Sequence, residues 1–140
     1  MTPSYSRAHW QTGVWSWCCP VYRTSFVLVR CARADIRTWL GREIPYADFV
    51  ESLARRFNPE QTFYRGQFVG GHHNEHGDVA VVWLHPDSDV DTLAHELLHV
   101  LTSVLADRGL LLSNDSDEAF AYYLAWLMRE SLQRLEGTTA

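Results

Sequence analysis

No run of basic residues occurs in the 140-residue chain, and its net charge is -5. A surface of that kind cannot track a phosphate backbone, so nucleic acid is not expected as the main partner. No apolar run reaches the length of a transmembrane helix, and the N-terminus has no basic stretch followed by an apolar one. No membrane span or secretory leader is expected, and the expected compartment is a reducing cytoplasm. Cysteine is scarce: Cys18, Cys19 and Cys31 are an odd number, two are adjacent, and no CxxC spacing occurs. That is a poor disulfide framework and a poor thiolate metal site, so buried structural thiols are expected. Internal repeats and low-complexity segments are also missing.

What is present suits one globular domain over residues 1–140. Hydrophobic residues make up 46% and charged ones 21%, and six tryptophans can supply an aromatic core. Residues 1–20 show no clear period and read as a loosely packed N-terminal segment. Trp10, Trp15 and Trp17 are too apolar for a free tail, so part of it should pack on the domain.

Val21–Ala32 is β-branched and aromatic, and Phe26–Val29 is apolar on both faces, as in a central strand. Asp35 can cap a short helix that stops at Gly41. In Tyr46–Phe57, Phe49, Val50, Leu53, Ala54 and Phe57 share one helical face, and Asn58-Pro59 ends the pattern. Thr62–Val69 and Asp78–His85 read as a β-hairpin around a glycine-flanked loop that holds His72, His73 and His76. Asp89–Arg108 has an apolar helical face formed by Leu93, Leu97, Val100 and Val104, with Gly109 as a stop. Ser116–Leu135 is apolar nearly all round at its centre and is expected to be the buried core helix. The fold class expected is α+β, with a small sheet of about three strands packed against the last two helices.

The Asp89–Arg108 helix also carries His95-Glu96-Leu97-Leu98-His99. Residues four apart share a helical face, so both imidazoles can reach one metal ion. Glu96 sits about 100° round the helix, where its carboxylate can take a proton from a metal-bound water. Thr92, His95, Glu96, His99 and Ser103 form a polar stripe opposite the apolar face. Glu118, at the head of the next helix, is the expected third ligand. Two imidazoles and a carboxylate leave a fourth zinc position open, the arrangement of catalytic rather than structural sites. Asp117 and Asp115 are substitutes for Glu118, though both suit helix capping. Tyr122, four residues after Glu118, is expected to point towards the metal and act in catalysis or tether a ligand. The histidine loop is either a polar hairpin tip or a lip over the metal. The open edge of strand Asp78–His85 would hold an extended peptide by strand addition. The bland reading of the motif is two solvated histidines on a helix without a metal.

His95-Glu-Leu-Leu-His99 followed by Asp117-Glu118-Ala-Phe-Ala-Tyr122 resembles the gluzincin metallopeptidases. The order strand, helix, hairpin, motif helix and then a Glu-Ala-x-Ala-Tyr helix resembles more closely the small metallopeptidase-like proteins encoded by phages and prophages, firmly over about Val79–Met128 and loosely over the N-terminal part. Leu93–His99 and Glu118–Ala125 are also similar to ImmA/IrrE-type peptidases, which cleave repressors. The resemblance implies one zinc ion per chain on His95, His99 and Glu118, with Glu96 catalytic and a protein or peptide as substrate. It implies the host cell cytoplasm as the location of a phage-encoded enzyme, with virion association as an alternative. The competing class is a phage structural or inhibitory binding protein that keeps a zinc site without useful turnover.

Overall fold

Every residue from Val79 to Leu84 is buried. Side chains alternate across a strand, so a run of this kind needs a covering layer on each face of its sheet. The computed structural model, which describes residues 10–57 and 65–137, has that layered α+β architecture. The strands are β1 (Gly13–Cys18), β2 (Ser25–Arg30), β3 (Gly66–His73) and β4 (Gly77–Leu84). The helices are α1 (Ile36–Glu43), α2 (Ala47–Arg55), α3 (Val90–Asp107) and α4 (Asp117–Glu136), with one 3-10 turn at Arg33–Asp35. The sheet order is β1-β2-β4-β3. β2 and β4 run parallel, and the two outer pairs are antiparallel.

The alternation divides the core in two. Phe26, Leu28, Ala80 and Val82 pack with Leu93, Leu97 and Leu101 of α3 and with Phe120 and Leu127 of α4. Val27, Val29, Val81 and Trp83 pack on the other face with Ile36, Leu40, Val50 and Leu53 of α1 and α2. Phe26–Val29 is therefore central, as its two apolar faces require.

Several expected boundaries shift. The α+β class and the small sheet are as expected; its fourth strand is Gly13–Cys18, which pairs with β2 from Gly13↔Arg30 to Cys18↔Ser25. That strand lies inside the stretch expected to be loose, and Trp10 just before it is buried. α1 runs through Gly41, where an added Cβ would meet nothing within 4 Å, so this glycine neither stops nor shapes the helix. The hairpin strands extend into the histidine loop and leave only residues 74–76 as the turn, with Gly77 at a φ of 85° closing it. The expected strand start and helix stop at residues 58–64 lie outside the described residues. α4 is not buried all round: Phe120, Tyr123, Leu127, Ser131 and Leu135 are buried, while Ala121, Tyr122 and Ala125 are exposed. It lies on the outside of a layer, so only one stripe needs to be apolar. No helix among the described residues is long and apolar enough to cross a membrane.

Candidate metal centre

The phase of α3 is set at its first turn. Asp89 is the N-cap, and its carboxylate accepts a hydrogen bond from the Asp91 N–H at 3.2 Å. From there Leu93, Leu97, Val100 and Leu101 turn into the core, and His95 and His99 turn out of it, both exposed. Glu96 falls between these faces. It is only 7% exposed, a low value for a carboxylate.

The two histidines present their Nε2 atoms 3.2 Å apart. That separation suits a hydrogen bond in which one ring donates, and it equally suits two neutral rings sharing a metal ion. At a zinc–nitrogen bond of about 2.0–2.1 Å, nitrogens 3.2 Å apart subtend about 100–106° at the metal, near the tetrahedral angle. Glu96 Oε1 lies 3.8 Å from His95 Nε2. Ligand atoms of His95, Glu96 and His99 all lie within 4.8 Å of one another, and they are the one group of this kind among the described residues. The three residues are thus a group that could hold a metal ion.

Burial raises the Glu96 carboxyl above its ordinary pKa. The charges of His95 and His99 and the backbone amide of Phe68 pull in the other direction. A carboxylate poised in this way is a better proton acceptor than a solvated one.

Gly66 brings β3 against this group. A Cβ on Gly66 would stand 2.7 Å from Thr92 Cγ2 and 3.2 Å from Glu96 Cγ, so the close approach of helix and strand depends on glycine there. Sequence reasoning did not single out Gly66 or Phe68. The available signal was a glycine inside an apolar strand pattern, which marks close approach as often as a bulge.

The open edge beside the group belongs to β3. β4, expected to offer its edge, is paired on one side with β2 and on the other with β3. The parallel β2–β4 pairing, which sequence proximity does not suggest, is the reason. His85 N–H bonds the Arg65 carbonyl at 2.8 Å, so the alternate residues Gly66, Phe68, Gly70 and His72 turn their backbone groups outward. The Gly70 carbonyl accepts a hydrogen bond from the Arg56 guanidinium.

The remaining candidates fall elsewhere. Glu118 is exposed in the first turn of α4 and is not part of the three-residue group. Asp115 and Asp117 are exposed in the same turn region. Tyr122 is 73% exposed and lines a groove with Cys19, Val21, Tyr22 and Trp126, well apart in lining from the histidine pair. His72 is paired with Asp78 at 2.8 Å. His73 stacks on Tyr46 with ring centroids 4.0 Å apart, and His76 meets the same ring edge-on. Those two therefore pin the hairpin tip to α2, on the sheet face away from α3.

Comparison with protein families, with curated proteins and with solved structures finds no significant match.

Proposed function

We propose that this protein is a zinc-dependent metallopeptidase, with His95 and His99 holding one zinc ion per chain and Glu96 acting as general base. The observation that carries the proposal is the convergence of the two Nε2 atoms at 3.2 Å beside a buried carboxylate. Zinc bound there would polarise a carbonyl and make a water acidic near neutral pH. Glu96 would accept the proton of the attacking water and deliver it to the leaving amine. The outward backbone groups of Gly66 and the outward carbonyl of Phe68, whose N–H bonds the Glu96 carboxylate, would hold an extended peptide by strand addition beside Glu96. Amide hydrolysis in a protein or peptide is the reaction that matches an edge strand and a base in this relation. The resemblance over Val79–Met128 extends the proposal to a phage- or prophage-encoded enzyme acting in the host cytoplasm.

A second reading is a phage binding protein with a zinc site and no useful turnover. The exposure of Glu118 and Tyr122 outside the group favours it. Glu96→Gln separates the two readings. It keeps both imidazoles and should retain zinc while proteolysis of a mixed peptide pool falls by at least a hundredfold. Equal behaviour of wild type and variant would favour the binding protein.

A further inference from the structure

Beyond Glu96, the outer flank of α3 and the end of the β3–β4 hairpin border a groove of ≈ 400 Å³. Its floor is small and apolar: Gly70, Gly71 and Ala80 leave space that Phe68, Val79 and Val104 line. Its far end is polar, formed by Ser103, Asp107 and the His72–Asp78 pair. Phe68 belongs both to this groove and to the surroundings of Glu96, so the two are continuous. Along α3, Ser103 is about 6 Å and Asp107 about 12 Å beyond His99, at a rise of about 1.5 Å per residue.

The charges at the far end are unequal in their engagement. Asp78 is shared between His72 at 2.8 Å and Arg108 at 3.5 Å. Arg56 is committed to the Gly70 carbonyl. The Asp107 carboxylate is exposed and makes no ion pair among the described residues. It also stands in the last turn of α3, where the helix dipole disfavours a negative charge. A carboxylate with no ion pair among the described residues, at the polar end of a groove with an apolar floor, matches a long side chain with an aliphatic stem and a cationic head.

We propose that this groove is a specificity subsite for an arginine or lysine side chain of the peptide substrate, which rests on the peptidase reading above. β3 runs from Gly66, beside Glu96, to His72, beside the far end of the groove. A peptide added antiparallel to β3 therefore has its N-terminal part over the groove. At about 3.4 Å per residue, a reach of about 6–12 Å puts the cationic residue two or three positions N-terminal to the scissile bond.

The test has two measurements. In the first, zinc-loaded protein digests a peptide library, and the cut sites are read by mass spectrometry. Arginine and lysine should be enriched two or three residues before the cut, and Asp107→Asn should remove the enrichment. In the second, fluorescence anisotropy follows zinc-loaded Glu96→Gln binding a labelled octapeptide with one arginine, against the same peptide with norleucine. The arginine peptide should bind about fivefold tighter, the scale of one partly exposed ion pair. Asp107→Asn should abolish that preference, whereas Asp48→Asn, the same charge change on α2, should leave it intact. Cleavage without basic enrichment, or a preference that survives Asp107→Asn, overturns the subsite and leaves the peptidase reading standing. An Asp107-dependent preference with no cleavage by wild type upholds the cationic subsite but overturns the peptidase reading. Neither cleavage nor preference overturns both.

Discussion

Gly66 and Glu96 meet closely enough that one methyl group would intrude: a Cβ on the glycine would stand 3.2 Å from the glutamate Cγ. The Glu96 carboxylate is thereby held against the edge of β3. Gly66→Val should push α3 from the strand and cost about 1–3 kcal/mol by overpacking. Turnover should fall at least tenfold, because the displaced Thr92 and Glu96 share one stripe of α3 with both imidazoles. The nearest atom met is Thr92 Cγ2 at 2.7 Å. Thr92→Ser removes that methyl, so Gly66→Ala combined with Thr92→Ser should recover much of what Gly66→Ala alone loses. Denaturant unfolding and peptide cleavage on the same samples give both numbers.

Glu118→Gln tests the third ligand expected from its spacing to His99. If Glu118 completes the ligand set, zinc affinity measured by competition with a chelator should fall more than a hundredfold, beyond the roughly 10–100-fold loss typical of an outer-shell partner. Unchanged affinity would remove Glu118 from the set and leave the metal to the histidine pair and groups other than this carboxylate.

Thiol reactivity should separate the three cysteines. Cys18 is exposed, whereas Cys19 and Cys31 are buried. Burial and the nearby Asp35 charge push the Cys31 thiol up to about 12, so it has almost no thiolate at pH 8. Native protein should give one fast thiol with an aromatic disulfide reagent, and unfolded protein three. Raising the pH towards 10 should speed the Cys31 reaction, because the thiolate fraction grows as the pH nears that pKa.

The core makes its own prediction. Trp83 is fully buried, and its indole N–H donates to the Cys31 carbonyl at 2.9 Å. Trp83→Phe leaves that carbonyl unpaired and opens a small void. About 2–4 kcal/mol of unfolding free energy should be lost by denaturant titration, the sum of an unmet buried acceptor and a cavity term.

The motif helix was legible because its evidence is local. Asp89 caps it, four apolar positions mark its inner face, and His95 and His99 share a face by spacing alone. β2 was legible for a similar reason, since a strand apolar on both faces must be central. Glu118 is a different case: α3 continues eight residues past His99, about 12 Å, before the chain turns, and no local pattern encodes how the head of α4 then lies relative to the histidine pair. The open edge was not legible either. Hairpin signals pair β3 with β4 correctly, but the parallel partner β2 lies about fifty residues earlier in the chain, and it decides which hairpin strand is left free. Gly66 and the groove beside Val104 depend on how closely α3 approaches the sheet, a quantity that no local pattern encodes.

The central claim is that the histidine pair is a zinc site, and metal analysis of protein purified without chelator tests it most directly. Elemental analysis should find about one zinc per chain, with close to none in either His95→Ala or His99→Ala, since each variant breaks the imidazole pair and leaves a single histidine to hold the ion. Wild-type protein without stoichiometric zinc after incubation with the ion, or a histidine variant that keeps it, would contradict the account.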